Sequence, residues 1–224
     1  MADILVTLPA YNEEKVIGSV IEEIKQALRG QDYFVLVVSD GSTDGTKKEA
    51  EKAGAIVFTK EHGGLADTFK YEMRIACRMK PGVIVHIDAD GQFAPCDIMR
   101  LVKRVWGGND LVLGNRLNGD IKYMARERIV LNKLCAFGLR VWSGQDIRDV
   151  ATGFRAFTVD VAALQIKGAY SFTVEQLIRA SRAGYKIKSV PVEFRNRKDG
   201  QSKQASSTAR YMWKTLLNIR RTLQ

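Results

Sequence analysis

Residues 83–92 read Val-Ile-Val-His-Ile-Asp-Ala-Asp-Gly-Gln, an apolar run that leads directly into two acidic residues. The part Val83–Ile87 has the length and the β-branched composition of a buried strand. Four similar runs lie in the first half of the chain, at Ile4–Leu8, Phe34–Val38, Ala55–Phe58 and Leu111–Leu113. Amphipathic helices alternate with these runs, which predicts an α/β fold with a mostly parallel, twisted central sheet flanked by helices.

The segment between the first two predicted strands has the clearest helical pattern. Apolar residues recur at helical spacing from Val16 to Leu28. Asn12 is placed to cap the start of this helix, and Gly30 is placed to end it. The sequence therefore predicts a strand, a helix and a second strand as the first unit of the fold.

The second half of the chain departs from this alternation. A basic amphipathic stretch, Tyr123–Trp142, precedes an irregular segment, and two more strand candidates lie near Ala156 and Val190. Residues 201–208 are rich in small polar side chains and are predicted to form a mobile loop. We expect one domain over residues 1–224, whose two halves meet near residue 116 and share one sheet.

The composition limits the class of protein. The chain has 224 residues, 46% of them hydrophobic, and a formal net charge of +10, which suits an anionic partner such as a nucleotide, a phospholipid surface or a nucleic acid. No apolar run approaches the roughly 20 residues that span a bilayer, so a cytoplasmic or peripheral membrane protein is expected. The three cysteines, Cys77, Cys96 and Cys135, are expected to be reduced residues in or near the core.

Polar segments follow the first, second and fourth predicted strands, at Pro9–Glu14, Ser39–Thr46 and Asp88–Gln92. Ligands of open α/β sheets bind beyond the carboxyl ends of the strands, so these segments are the candidate site. Asp88 and Asp90 flank one small residue, and carboxylates this close repel each other unless a cation or a proton lies between them. Oxygen ligands favour Mg²⁺ or Mn²⁺. The alternative is a pair of aspartates that only cap a turn.

Asp40 and Tyr11 are candidates for binding a nucleoside base. Asp40 can accept a hydrogen bond from a base N–H, and the ring of Tyr11 can lie flat against the base. Taken alone, residues 40–42 have the composition of an ordinary turn that opens a helix.

The three polar segments, in this order, resemble the signature of family 2 glycosyltransferases with the GT-A fold. The resemblance continues through residues 114–116, 148–155 and 194–203, and there it is closest to the dolichol-phosphate mannosyltransferase and polyprenyl-phosphate glycosyltransferase branch. Ser39 and Asn115 depart from the family pattern, which usually has aspartate and serine at these positions. The departure at Ser39 leaves the base of the donor open.

The resemblance implies four sets of site residues. The nucleotide sugar would be bound mainly by residues 1–116, through Pro9, Ala10, Tyr11, Glu13, Asp40, Gly64, Asp88, Ala89, Asp90 and Gln92. The Mg²⁺ or Mn²⁺ ion would be held by Asp88, Asp90 and Gln92. Catalysis would depend on Asp90, Arg116, Asp149 and Arg197. The acceptor and its phosphate would be bound mainly by residues 117–224, through Arg116, Arg148, Thr152, Glu175, Arg197, Ser202 and Lys203.

The balance of charges favours a lipid-linked phosphate as the acceptor. A hydroxyl acceptor needs a general base, whereas a phosphate monoester with a second pKa of about 6 is already ionised at neutral pH. The second half is rich in arginine and lacks the family's usual Glu-Asp base motif. The expected reaction is a single displacement that inverts the anomeric carbon. Asp149 would steady an arginine or the sugar hydroxyls, and Glu175 would either line the acceptor channel or lie on a helix surface.

The sequence also allows other interpretations. Residues 209–223 have the composition of a helix that lies on a membrane surface, although docking on the core of the protein is equally compatible. A glycosyltransferase for a saccharide or other hydroxyl acceptor is the nearest alternative function. An inactive nucleotide-binding module is suggested only by the charge, and nucleic acid is not an expected partner. The oligomeric state is not predicted.

Overall fold

The computed structural model describes residues 3–118, 124–168 and 172–197. Within these ranges, seven strands lie in chain order: β1 (Ile4–Ala10), β2 (Tyr33–Asp40), β3 (Ile56–Lys60), β4 (Val83–His86), β5 (Leu111–Asn115), β6 (Arg155–Phe157) and β7 (Ile187–Pro191). The helices that accompany them are α1 (Ile17–Ala27), α2 (Thr46–Lys52), α3 (Leu65–Met79), α4 (Ile98–Trp106), α5 (Arg126–Ser143), α6 (Val159–Ala162) and α7 (Phe172–Arg182). Short 3-10 turns lie at Pro95–Asp97 and Arg116–Asn118.

The strands form one sheet in the order β3-β2-β1-β4-β6-β5-β7. β6 runs antiparallel to both of its neighbours, β4 and β5, whereas the other paired strands are parallel. The carboxyl ends of the six parallel strands therefore meet at one edge of the sheet. The segment that precedes β6 reaches the same edge, because β6 begins where its neighbours end.

Both faces of the sheet are covered, as the apolar strands predict. Alternate strand residues point to opposite faces, so that Val6 and Val85 pack with α1 and α4 while Leu5 and Ile84 pack with α3 and α7. The residues of α5 that face the protein, Asn132, Ala136 and Leu139, lie on the second side. Strands from both halves of the chain share the sheet.

All seven predicted strand positions are confirmed, but the predicted helix cap is wrong. Asn12 does not cap α1, which has Val16 at its N-cap without a side-chain hydrogen bond. The Asn12 backbone has a positive φ of 52°, and its side-chain oxygen accepts a hydrogen bond from the Thr43 amide instead. Gly30, with a φ of 82°, lies in the turn after α1 as expected.

Three further expectations concern the surface and the chain termini. Cys96 is exposed, which contradicts its expected place near the core, while Cys77 and Cys135 are half-buried and all three thiols are free. The predicted loop at 201–208 and helix at 209–223 lie outside the described residues. None of the helices described here has both the length and the apolar character needed to cross a membrane.

Candidate active site

The loops that follow β1 and β2 are hydrogen-bonded to each other at the carboxyl edge of the sheet. The backbone amide of Asn12 donates to the hydroxyl of Ser42, and the Thr43 amide donates to the Asn12 side chain. The Glu13 amide donates to the hydroxyl of Thr46 at 2.8 Å. These bonds fix Glu13 and the neighbouring polar loop beside Asp40.

Asp40 ends β2 with a buried carboxylate that already has several donors. The Lys60 ammonium lies 2.6 Å from it, and the backbone amides of Gly63 and Gly64 donate at 2.9 and 2.8 Å. Burial by itself would raise the pKa of Asp40, but these donors outweigh it and lower the pKa below its ordinary value. Asp40 is therefore a carboxylate at neutral pH, and a base N–H would join or displace these protein donors.

Tyr11 lies next to this carboxylate, directly after Pro9 and Ala10 at the end of β1. Its ring stacks at an angle on the His62 ring, with centroids 4.5 Å apart, and His62 Nδ1 lies 3.0 Å from the backbone oxygen of Asp40. Gly64 precedes α3 with a φ of 84°, which a side chain would disfavour. The structure thus brings five residues that were predicted to bind the nucleotide sugar to one corner of the sheet edge.

Asp88 lies just beyond β4, and no described group donates a hydrogen bond to its carboxylate. Burial, together with the nearby charge of Asp90, raises the pKa of Asp88 to about 6. The backbone of Gly153 approaches so closely that a Cβ there would lie 2.6 Å from Oδ1 of Asp88. Asp88 is therefore half-buried and closely packed against Gly153, and its carboxylate remains open to a ligand.

Asp90 is connected to the β1 loop through Arg197. Asp90 accepts a hydrogen bond from the Gln92 amide at 3.1 Å, and its other oxygen lies 3.7 Å from Arg197. Arg197 also donates to Glu13 at 2.9 Å. The predicted site residues Glu13, Asp90, Gln92 and Arg197 thus meet, although they come from three distant parts of the sequence. Ala89, between the two aspartates, is buried.

The acidic pair fits a divalent cation that is shared with a ligand. Among the described residues there is no cluster of three His, Cys, Asp or Glu side chains that could hold a metal ion alone. Asp88 and Asp90 supply carboxylate oxygens, and the Asp88 carboxylate has no competing donor in the described chain. Oxygen atoms of a diphosphate would complete the coordination of a hard ion such as Mg²⁺ or Mn²⁺, with Gln92 as a further candidate ligand.

Arg116 follows β5 and is held by a bidentate ion pair with Asp149. Its Nε and a terminal nitrogen lie 2.7 and 2.9 Å from the two carboxylate oxygens. The guanidinium also lies over the rings of Phe93 and Phe194, at 5.8 and 5.3 Å from their centroids. Such contacts fix the plane of a guanidinium as well as its position. Asn132 of α5 completes the arrangement with a hydrogen bond of 2.7 Å to Asp149.

Asp149 is fully buried and strongly supported in its ionised form. Burial alone would raise its pKa, but the charge of Arg116 and the hydrogen bonds from Arg116 and Asn132 hold the pKa below its ordinary value. A carboxylate with a lowered pKa binds protons weakly and is a poor general base. The structure thus supports the expectation that Asp149 steadies an arginine.

The other predicted acceptor residues have structural contacts of their own. Thr152 is buried, and its hydroxyl accepts a hydrogen bond from the Phe154 amide. Arg148 is exposed and pairs with Asp146 at 2.8 Å. Ser202 and Lys203 lie outside the described residues.

The expectation that Glu175 lies on a helix surface is wrong, because its side chain is buried. The carboxylate accepts hydrogen bonds of 2.8 Å from the amides of Lys167 and Gly168 and from Arg179. Glu175 therefore fixes the backbone of Lys167 and Gly168. Its alternative role in an acceptor channel stays a prediction.

Sequence reasoning missed several residues that shape the site. Lys60 neutralises Asp40, Gly153 lets the chain approach Asp88, and Asn132 supports Asp149. Asn132 had a detectable signal, since it shares a helical face with the apolar residues Ala136 and Leu139. Lys60 had none, because its partner is set by a long-range strand pairing.

Comparisons with known proteins identify the family of the chain. The model of the family described as "Glycosyl transferase family 2" matches residues 5–163. The chain belongs to this family. It is 30% identical to polyprenol monophosphomannose synthase of Mycolicibacterium smegmatis over 92% of this chain and 82% of that protein.

Two further relatives have related names. Undecaprenyl-phosphate mannosyltransferase of Micrococcus luteus is 29% identical over 90% of this chain and 87% of its own length. Dolichyl-phosphate hexose transferase of Haloferax volcanii is 30% identical over 87% of this chain and 84% of its own length. The expected branch of the family is confirmed by these relatives, and the chain is a glycosyltransferase.

A solved structure has the same fold. Glucosyl-3-phosphoglycerate synthase from Mycobacterium tuberculosis, in complex with Mn²⁺, UDP and phosphoglyceric acid, superposes with a TM-score of 0.76 and covers 97% of this chain and 78% of that one. The identity is 22%, so the likeness establishes the fold alone. The expected GT-A fold is confirmed.

Proposed function

We propose that this glycosyltransferase moves a hexose from a nucleotide diphosphate sugar, of the GDP-mannose or UDP-glucose type, to a polyprenyl or dolichyl phosphate. The observation that carries the proposal is the pairing of Arg116 with Asp149 beside the acidic site. Arg116 is a fixed cation that suits an anionic acceptor. Asp149, which is paired with Arg116, is a poor acceptor for the proton of a hydroxyl group. The names of the three relatives support the same acceptor class.

The chain's own residues have distinct roles in this proposal. Asp40 and Tyr11 bind and orient the nucleoside, and the loop bonds around Asn12 and Thr43 keep the Tyr11 segment in register. Asp88 and Asp90 hold the divalent cation, which when bound would stabilise the negative charge that develops on the leaving nucleotide diphosphate. Arg116 and Arg197 orient the acceptor phosphate and neutralise its charge.

The stereochemistry follows from a single displacement. An ionised phosphate oxygen attacks the anomeric carbon on the face opposite the leaving diphosphate, so that the new C–O bond forms as the old one breaks. Inversion at the anomeric carbon results. We also propose that the enzyme works peripherally at the cytoplasmic face of a membrane, where a lipid phosphate is presented.

A transfer assay tests this proposal. The full chain, Mn²⁺ and detergent-dispersed polyprenyl phosphate are incubated in parallel with labelled GDP-mannose, UDP-glucose and UDP-N-acetylglucosamine. Label in the lipid phase from one donor, lost in the Asp90→Ala variant, is the expected result. Lys52→Ala, an exposed charge change on α2, is the matched control and should transfer at the wild-type rate. Donor binding without lipid product would shift the acceptor to a hydroxyl compound.

A further inference from the structure

The outer face of α5 has an exposed apolar stripe. We define the outer stripe as the residues Val130, Leu134, Phe137, Val141 and Trp142. The first four follow each other at spacings of four, three and four, so that they lie on one side of the helix. Leu134 and Val141 are 63% and 71% exposed. An apolar row of this length on a surface helix indicates a contact with another apolar phase.

The fold itself does not require the outer stripe. Asn132, Ala136 and Leu139, on the opposite side of α5, are the residues that face the protein. A helix needs one apolar side to pack on a domain, and α5 has two. The outer stripe is therefore available for a partner while α5 remains docked.

Basic side chains border the outer stripe. Lys133, Arg140 and Arg148 line a cavity of about 370 Å³ beside α5, together with Asn115 and Asn118. No acidic side chain of the described chain pairs with Lys133 or Arg140. This cavity suits an anionic group, and it adjoins the segment that carries Arg116.

We infer that the outer stripe and its basic border dock α5 on an anionic lipid surface. The helix carries four basic residues and one acidic residue, Arg126, Arg128, Lys133, Arg140 and Glu127. Against a second copy of α5 these cations would repel each other, whereas lipid phosphates neutralise them while acyl chains receive the apolar stripe. The inference deepens the proposed function, since it assigns the membrane contact to one helix of the enzyme.

The connection to the site runs through the inner side of the same helix. Asn132 of α5 is hydrogen-bonded to Asp149, which holds Arg116. Docking of the outer stripe would thus hold Arg116 at a fixed distance from the lipid headgroups. A phosphate that remains attached to a membrane lipid could then reach the site without leaving the bilayer.

Sedimentation of the full chain with vesicles tests the inference without donor or acceptor. Vesicles of phosphatidylcholine alone are compared with vesicles that contain about one third phosphatidylglycerol. The double variant Leu134→Gln, Val141→Gln should lose at least about tenfold in binding to the anionic vesicles. Phe34→Gln with Ile56→Gln is the control, since these apolar residues are also exposed and lie on β2 and β3. It should bind within about twofold of wild type.

A second pair of variants tests the basic border. Lys133→Gln with Arg140→Gln should reduce the preference for anionic vesicles, whereas Lys47→Gln with Lys52→Gln, an equal change of charge on α2, should not. Circular dichroism and nucleotide affinity in solution check that each variant is folded. Wild-type vesicle binding by the stripe variant would overturn the inference. If that variant instead changed the oligomeric state in solution, a second copy would be the occupant.

The inference and the proposed function can fail separately. Stripe-dependent vesicle binding by a protein that transfers no sugar to polyprenyl phosphate would retain the docking surface and reject the acceptor. If the protein transfers sugar in detergent but the stripe variant binds vesicles like wild type, the proposed acceptor is retained and the docking surface is rejected.

Discussion

Asn132 donates a hydrogen bond of 2.7 Å to Asp149, the same carboxylate that Arg116 binds with two N–H donors. The side-chain oxygen of Asn132 in turn accepts a hydrogen bond of 2.9 Å from the Val150 amide. One residue of α5 therefore fixes both the carboxylate and the backbone of the turn that carries it. The orientation of Arg116 depends on a helix whose other side faces outward.

Replacement of Asn132 by aspartate should give a pH-dependent loss of transfer. The two carboxyl groups would lie within hydrogen-bond distance, and they could coexist only while they share a proton. As the pH rises and that proton is lost, repulsion should displace Asp149 and release Arg116. We expect kcat relative to wild type to fall by about tenfold or more between mildly acidic and alkaline pH.

Asn132→Leu separates this electrostatic effect from a loss of packing. It should lower stability by about 1–3 kcal/mol, because Asp149 and the Val150 amide each lose a buried partner. Its relative kcat should not vary with pH. Parallel pH profiles for the two variants would contradict the proposed link between Asn132 and Arg116.

Gly153→Ala should impair metal-dependent donor binding although it adds only one methyl group. The new Cβ would lie 2.6 Å from Oδ1 of Asp88, which forces the carboxylate to move. The Gly153 backbone does not have a positive φ, so any defect would come from this contact. We expect a loss of at least about tenfold in nucleotide-sugar affinity with Mn²⁺, measured by calorimetry. Gly18→Ala, where no atom lies within 4 Å of a Cβ, should bind like wild type.

Metal affinity should fall at acidic pH because of Asp88. Burial and the charge of Asp90 raise its pKa from 3.8 to about 6. Protons then compete with the cation, and the affinity for Mn²⁺ should decrease roughly tenfold per pH unit below about 6. A calorimetric titration series from acidic to neutral pH measures this slope. An affinity that does not change across pH 6 would contradict the assignment of Asp88 as a ligand.

The raised pKa of Asp88 should make the metal-free protein more stable at acidic pH. The folded state binds the Asp88 proton more tightly than the unfolded state does. The contribution of Asp88 is therefore fully present below about pH 3.8 and is lost as the pH rises through about 6. Asp88→Asn should reduce the loss of stability over this range, as measured by denaturant unfolding.

Local patterns correctly predicted the positions of the strands and the polar segments at their ends. The strand runs before Asp40 and Asp88 predicted that both residues lie at one edge, because parallel strands end together. The contacts of Lys60 and Gly153 could not be predicted in this way. They depend on the pairing of β2 with β3 and on the reversed direction of β6, which join residues far apart in the chain.

The misassigned residues have a common physical origin. The sequence predicts that Asn12 caps a helix, and a helix surface is one of the two roles that it leaves open for Glu175. Each instead accepts hydrogen bonds from the backbone of a loop, Asn12 from Thr43 and Glu175 from Lys167 and Gly168. Buried amides need acceptors, and only the folded chain shows which side chain supplies them.

Arg197 and Asp90 should have opposite effects on the cation, although both lie in the site. Asp90→Ala removes a predicted ligand and should abolish metal-dependent donor binding with the fold intact. Arg197→Ala removes a cation that lies 3.7 Å from Asp90 and is bonded to Glu13, so Mn²⁺ should bind at least as tightly as in wild type. Transfer should nevertheless fall by about a hundredfold, since the acceptor phosphate loses a charge partner.

Arg197→Lys retains the charge and should recover part of kcat. Calorimetry measures the affinity for Mn²⁺, and the transfer assay measures the rate. An equal loss of donor affinity and transfer in Arg197→Ala would exclude an acceptor role for Arg197.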